Sequence, residues 1–397
     1  MFVYIIHIFF LILGAYLLIS VAYLLLVALA GKWRKRTSYD VCPEKKKIAV
    51  LIPSYKEDHI ILDTAASAVG QNYPADRFDV FVIADKLQPS TIEKLREIPV
   101  GVVVVHFENS MKSRSINAAL NQLSGNGYEV AMILDADNIM EINTLEKVNA
   151  AFQRGFKAVQ CHRMAKNKNN AVAVLDAISE EINNNLFRSG QRAFGFSAAL
   201  IGSGMAFEFD KIQSIFNLDH ILNNPGEDRE IDLQLMKDGV VVEYIEDAWV
   251  YDEKVSSSAV FEKQRTRWLE AQVNHFSRFW DKDIRAVSAT RAYWNKFFQT
   301  LLLPRSLLLL LFTALMVLVV LTIVSGYPLL FPAWGWWVGL FGTFLLTLLV
   351  SVPGSYYNVG TIKAIVHIPV LVFAMVKAML KMKVNRKEFL HTPKAFK

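Results

Sequence analysis

The amino-acid sequence predicts an α/β fold: a mostly parallel sheet with helices on both faces, joined to transmembrane and interfacial helices. Two features of the chain predict it. Apolar runs long enough to cross a bilayer flank a middle segment of ordinary globular composition. Within that segment, short apolar runs alternate with stretches of helical periodicity, the pattern of strand–helix units.

The apolar ends come first. Of the 397 residues 53% are apolar, and the surplus lies at the two ends. A span takes about 20 mostly apolar residues to cross roughly 30 Å of hydrocarbon. Phe2 to Ala30 qualifies, with no Asp, Glu, Lys or Arg in it; Leu307 to Val324 and Trp334 to Val352 are the second and third candidates. The first run has no basic leader and no small-residue cleavage site, and it exceeds the roughly 7–15 apolar residues of a signal peptide, so it reads as an anchor. Lys32, Arg34, Lys35 and Arg36 follow it. The positive-inside rule then puts the N-terminus outside and the middle domain in the cytoplasm, on a plasma or inner membrane. In the last apolar stretch, Lys363, His367, Lys377 and Lys381 fall on one helical face, as in a helix lying in the interface plane. Three spans plus that helix also leave the basic tail inside. The expected division is a transmembrane helix at 1–31, the cytoplasmic domain at 32–255, interfacial helices at 256–300, a transmembrane hairpin at 301–353, and an interfacial helix with basic tail at 354–397.

In the middle segment Ile48 to Pro53, Val80 to Ala84, Val102 to His106, Val130 to Leu134 and Ala158 to Cys161 read as buried strands. Residues near 59–69, 90–97, 113–123 and 142–153 carry helical periodicity. A helix over 170–190 follows, then a short one from Arg229 to Lys237, a strand pair near 240–251, and a long helix from about Ser256 to Trp280. Sheets of this kind bind ligands at the carboxyl ends of their strands.

Charge and cysteines exclude other classes. Much of the formal +6 lies beside the apolar segments, at 32–36, Lys45 to Lys47 and Lys377 to Lys397, where it suits anionic lipid headgroups. With no stacking platform and no helix-turn-helix signature, nucleic acid is not expected as a partner. Cys42 and Cys161 are too few and too scattered for a metal site or a disulfide framework, and read as reduced thiols.

Four motifs fall where such a sheet places ligands. Ile52-Pro53-Ser54-Tyr55-Lys56-Glu57 follows the first strand, with Asp85 ending the second. Asp135-Ala136-Asp137 ends a later strand, Glu227-Asp228 opens a helix after Pro225-Gly226, and Gln264, Arg267 and Trp268 share one helical face. Each alone also has a structural reading. Asp85 can cap a turn, Asp-x-Asp can be a solvated turn, and Glu227-Asp228 can be first-turn acids favoured by the helix dipole. Gly202-Ser203-Gly204 can be a tight turn, and residues 263–268 a basic helix resting on a membrane.

In order and spacing these residues resemble family 2 glycosyltransferases of GT-A fold, nearest the membrane branch of cellulose, chitin and hyaluronan synthases. The resemblance runs from about Lys47 to Trp268. It rests on Pro-x-Tyr-x-Glu, the lone Asp85, Lys112 with Asn117, Asp-x-Asp, Gly202 to Phe207, Glu-Asp and Gln-x-x-Arg-Trp, and extends to Leu390-His391-Thr392-Pro393-Lys394. There are departures. No second Asp follows near Gln88 or Pro89, position 271 is Ala where Gly is common, Gly226 replaces Thr, and Phe389-Leu390 stands where Trp is common.

The resemblance implies a nucleotide-sugar donor, most often a UDP-sugar, and Mg²⁺ or Mn²⁺ with Asp137 as ligand and Asp135 at the metal or nucleotide. It implies Tyr55, Glu57, Asp85 and Lys112 at the base, ribose and phosphates, and Asp228 as the general base of an inverting transfer. Gln264 and Arg267 fall to the diphosphate or acceptor, and Gly202, Ser203, Gly204, Glu227 and Trp268 to the acceptor. The leading expectation is a processive synthase of a β-linked polysaccharide at the cytoplasmic face of the bilayer. The rival is a transferase adding one sugar to a lipid such as a polyprenyl phosphate or ceramide-like acceptor. So few spans make a thin pore, which leaves room for a homo-oligomer or an export partner. A binding module or transporter without turnover is the rival of a different class.

Overall fold

The computed structural model describes residues 2–383. The expected tail motif Leu390 to Lys394 lies outside them. In chain order the elements are α1 (Phe2–Trp33), β1 (Ile48–Tyr55), α2 (Ile61–Ala68), β2 (Phe78–Asp85), α3 (Pro89–Arg96), β3 (Gly101–Val105), α4 (Lys112–Leu123), β4 (Val130–Ile133) and β5 (Ile139–Met140). Then come α5 (Thr144–Gln153), β6 (Ala158–Ala165), α6 (Ala171–Asn183), a π-helical turn (Asn184–Ser189), α7 (Gly190–Ala193), β7 (Met205–Glu208), α8 (Phe209–Phe216), α9 (Asp219–Leu222) and α10 (Glu227–Lys237). The remainder is β8 (Val242–Asp252), α11 (Ser258–Arg278), α12 (Lys282–Arg285), α13 (Arg291–Leu301), α14 (Arg305–Ser325), α15 (Trp334–Ser351), α16 (Val359–Ile365) and α17 (Ile368–Lys381).

The eight strands form one sheet in the order β3-β2-β1-β4-β7-β6-β8-β5. Four junctions are parallel. The three that involve β5 or β7 are antiparallel, so the sheet is mixed. Strand periodicity sorts its two faces. Val50, Ile52, Val82 and Met132 pack with Ile61, Leu95, Leu145 and Val148 of α2, α3 and α5. Ala49, Leu51, Ile83 and Ile133 pack with Ile116, Leu120, Ile215 and Leu235 of α4, α8 and α10. Each large aliphatic side chain buried this way contributes about 1.5–3 kcal/mol.

The expected strand pair near 240–251 is corrected to one strand, β8. Its pairing with β6 runs Cys161↔Ile245 and resumes at His162↔Trp249. Glu246 to Ala248 are taken up as an irregularity, so the polar break bulges the strand instead of reversing it.

Among the described residues, three helices are long and apolar enough to cross a membrane: α1, α14 and α15. α16 and α17 meet at 48° and count as a fourth span only if taken as one bent element. α1 and α15 lie side by side and run parallel. Phe10 meets Trp337 near their starts, and Asn185 donates to both the Ala28 carbonyl and the Ser351 hydroxyl at their ends, 3.1 Å each. α6 starts on a side-chain cap, Asn170 accepting from Ala173 N–H, and α11 on another, Ser257 accepting from Val260 N–H.

The domain is pinned to α1 by close backbone approach. A Cβ added to Gly190 would stand 2.4 Å from the Val27 carbonyl oxygen, and one on Gly31 would stand 2.9 Å from the Asn185 carbonyl oxygen. Small residues at a helix crossing permit such contact. Gly190→Ala is therefore expected to destabilise the detergent-solubilised protein by about 1–3 kcal/mol in thermal unfolding, the cost of overpacking. Gly335→Ala, with nothing within 4 Å of its added Cβ, is the matched control. Equal melting of the two would show that α1 yields freely.

Candidate active site

The carboxyl ends of β1 and β2 lie side by side, in register at Tyr55↔Asp85. Lys56 and Lys86, which follow them, adopt φ of 58° and 56°. A left-handed backbone costs a non-glycine residue roughly 1–2 kcal/mol, and such strain gathers at functional sites. The two lysines lie 5.2 and 5.7 Å from the centre of the Tyr55 ring. Asp85 is 1% exposed, with the Ser110 hydroxyl beside its carboxylate and the charges of Lys86, His106 and Lys56 around it. Burial raises its pKa. Glu57 is also buried, one turn before α2.

The second group gathers around Lys112 at the start of α4. Its ammonium donates to Asp135 Oδ1 and to the Gly202 carbonyl, each at 2.5 Å, and stands 3.6 Å from Glu227 Oε1. Burial opposes its charge, but Asp135 and Glu227 more than offset that and hold it above the ordinary lysine value. Gly202 and Gly204 take left-handed φ of 82° and 64°, which favours glycine. A Cβ added to Gly202 would sit 3.5 Å from Lys112 Nζ and 3.8 Å from Asp228 Oδ2, which places Asp228 at the same spot. Between the glycines, Ser203 Oγ accepts from the Asp135 N–H at 2.9 Å.

Glu227 and Asp228 open α10. Burial pushes the Glu227 carboxyl up to about 7, with Lys112 opposing and Asp228 adding to the rise. From α11, Arg267 reaches the same field: burial lowers its guanidinium, and Glu227, Asp135 and Asp228 partly restore it. Gln264 and Trp268 flank Arg267 on that helix, and among the described residues neither hydrogen-bonds to the cluster. One face of the Trp268 ring is taken by the Arg265 guanidinium, 3.8 Å from its centre, and Arg265 is paired with Asp176 on α6 at 2.5 Å. The structure thus brings Lys112, Asp135, Gly202, Glu227, Asp228 and Arg267 together. Tyr55 and Asp85 end β1 and β2, and Glu57 follows β1 in the connection to α2.

Asp137 is 1% exposed and follows directly on Asp135 and Ala136. Among the described residues no group of three His, Cys, Asp or Glu side chains forms an all-protein metal cage. Two neighbouring carboxylates nonetheless fit Mg²⁺ or Mn²⁺, hard cations that complete their shells with water and substrate phosphate.

Sequence reasoning missed the residues behind these groups. Gln160 donates to the carbonyls of Ser203 and Gly204, at 2.9 and 3.2 Å, and holds their loop from β6. Asn138 donates to both Asp137 and Asp252. Only Asn138 carried any signal, its adjacency to Asp-x-Asp.

Residues 43–271, more than half of the chain, match the family profile described as glycosyltransferase like family 2. The chain belongs to this family. It is 26% identical over 247 residues to the probable glycosyltransferase YdaM of Bacillus subtilis (strain 168), covering 60% of this chain and 56% of that protein. It is 23% identical over 254 residues to a beta-monoglucosyldiacylglycerol synthase of Trichormus variabilis, covering 62% and 53%. The matches therefore span little more than half the length of these family members. A solved mannosyltransferase of Pyrobaculum calidifontis, in complex with GDP-Man and Mn²⁺, shares the fold at a TM-score of 0.52 and 15% identity, over 93% of this chain and 98% of that one. The GT-A fold expected from the sequence is the one observed.

Glu227 gives the site a pH signature. Its folded value, about 7, lies above the ordinary 4.5, so the folded state keeps the proton longer. Its contribution to stability is intact below about pH 4.5 and is lost as pH rises through about 7. The fall in Tm from pH 5 to pH 8 should be smaller in Glu227→Gln than in the parent. Parallel curves would mean that Glu227 is ionised throughout.

Proposed function

We propose that this chain transfers one sugar, with inversion, from a nucleotide-sugar to the hydroxyl of a membrane lipid. The observation that carries the reading is the meeting of Asp228 with Lys112, Asp135 and Gly202 at the strand ends. It sets a candidate base beside a candidate phosphate-binding cation.

Asp85, a buried carboxylate with acceptor capacity beyond the Ser110 hydroxyl, suits the N–H or O–H groups of a nucleoside, with Tyr55 and Glu57 beside it. Lys112 suits the diphosphate. The acceptor oxygen attacks the anomeric carbon, the bond from that carbon to the diphosphate oxygen breaks, and Asp228 takes the hydroxyl proton. Such base catalysis is typically worth about 10²–10⁴-fold. Arg267 adds positive charge near the leaving group, while Glu227, Ser203 and the two glycines shape the acceptor side. Asp135, Asp137, Glu227 and Asp228 outnumber Lys112 and Arg267, an acidic excess that by itself repels a polyanionic donor. Mg²⁺ or Mn²⁺ held by Asp137 and Asp135 would cancel that excess and supply Lewis acidity toward the diphosphate.

Two observations favour a lipid acceptor over a growing polymer. The synthase of Trichormus variabilis is named for a glycolipid product. Leu17, Phe312, Trp337 and Phe344, each 0% exposed, fill the core of the α1–α14–α15 bundle, which leaves an extruded chain no path along its axis. The polymer reading keeps one support: Gln264-x-x-Arg267-Trp268 does bring Arg267 to the carboxylate cluster. We further infer a cytoplasmic catalytic face, from the basic residues that follow α1.

The test is nucleotide release and product mass for the full chain in lipid nanodiscs, with a panel of UDP- and GDP-sugars and diacylglycerol, ceramide and polyprenyl phosphate. Expected is release from one donor with one sugar added per lipid, abolished by chelator and cut by about 10²–10⁴-fold in Asp228→Asn. A ladder of long products would install the polymer reading. Unchanged turnover in Asp228→Asn would remove Asp228 as the base.

A further inference from the structure

Asn138 lies behind the Asp-x-Asp pair at 1% exposure, and its side-chain amide is used at both ends. Its Nδ2 donates to Asp137 Oδ1 and to Asp252 Oδ1, each at 3.2 Å. Its Oδ1 accepts from the Ser203 hydroxyl. That hydroxyl oxygen in turn accepts from the Asp135 N–H at 2.9 Å, and the Asn138 N–H bonds the Asp135 carbonyl at 3.0 Å. One amide therefore touches the carboxylate of Asp137, the backbone of Asp135 through Ser203, and the strand that ends in Asp252.

The amide also has one workable orientation. Turned over, its oxygen would face two carboxylates and its nitrogen the hydroxyl, so the carboxylates fix which end is which. Asp252 is itself anchored: its Oδ2 accepts from Lys254 Nζ at 2.8 Å, and Arg163 Nε stands 3.8 Å away. Lys254 is 3% exposed and lies 3.6 Å from Glu180 on α6. Of the two carboxylates bridged by Asn138, Asp252 is thus tied to the buried charges of the fold, and Asp137 belongs to the candidate site.

We propose that Asn138 is a positioning residue for Asp137: with Ser203 and Asp252 it fixes the angle at which the Asp137 carboxylate meets a divalent cation. The inference rests on the metal reading given under Proposed function. Partners of this kind that orient a ligand carboxylate typically govern 10–100-fold in metal affinity.

The experiment is Mn²⁺ binding, read from the electron paramagnetic resonance signal of free Mn²⁺, by the full chain in nanodiscs with UDP or GDP present. Thermal unfolding of each variant runs in parallel. Asn138→Ala is expected to weaken Mn²⁺ binding by about 10–100-fold. Nucleotide affinity measured in EDTA is expected to stay unchanged, a pattern that general loosening of the fold does not produce. Ser203→Ala, which removes the hydroxyl that holds the amide's other end, covers the case in which Asn138→Ala fails to fold, and should weaken Mn²⁺ binding several-fold. If the parent protein binds Mn²⁺ and the folded variants bind it as tightly, Asn138 has no positioning role. If the parent binds none, the metal reading falls, and the role assigned to Asn138 falls with it.

Discussion

The arrangement depends on a buried carboxylate, Glu180, in the last turn of α6. At 5% exposure it lies 2.9 Å from Arg163, 3.5 Å from Arg188 and 3.6 Å from Lys254. Burial on its own would raise its pKa; Arg163, Lys254 and Arg188 reverse that and hold the carboxyl well below the usual range. Taking one partner from such a cluster leaves uncompensated buried charge, at a cost of about 3–5 kcal/mol. The cluster fixes α6 against the sheet through Arg163 of β6 and, through Lys254, to the end of β8.

α6 then carries the rest. Asp176 holds Arg265 of α11, whose guanidinium lies on Trp268, and so sets the helix that brings Arg267 to the carboxylates. Ser179 accepts from Arg305 at the start of α14, at 3.0 Å through both its carbonyl and its hydroxyl. The π-helical turn that continues α6 meets α1 and α15 through Asn185. One helix thus positions the sheet, the Arg267 helix and the membrane bundle with respect to each other. The carboxylate cluster is thereby held at a fixed position relative to the apolar helices. Exposed Trp33, Trp280 and Trp294 suit the headgroup level where aromatic side chains gather.

Much of the fold was legible because strand and helix periodicities are local. Val80 to Ala84 or the helix near 113–123 could be read from a dozen residues without knowing what they pack on. β7 was not, since its four residues follow directly on Gly202-Ser203-Gly204 and look like part of that turn until β4 and β6 close on them from either side. β8 was misread as a pair for a related reason: Glu246 and Asp247 break its apolar pattern, and only the partner strand shows the break absorbed as a bulge. In the site, Tyr55, Asp85, Asp135, Asp137, Glu227 and Asp228 were visible because they lie in short motifs whose order and spacing resemble the family's. Asn138, Gln160 and Asp252 were not, because an amide or a strand-end acid acquires meaning only from what it touches.

The sequence by itself determined most of the strands and helices, the apolar helices at both ends, the family, and which acidic and basic residues are available for chemistry. These follow from periodicity, composition and spacing, all of which act over a few residues. Only the tertiary structure decided that Lys112 bridges Asp135 and the Gly202 carbonyl, that Trp268 has one face covered by Arg265, and that Asn138 stands behind Asp137. Those contacts, the longest of which joins residues 90 positions apart, are set by the packed fold. They exist because burying the two faces of the sheet forces distant strand ends together, and hydrogen-bond geometry then selects among the groups that meet there.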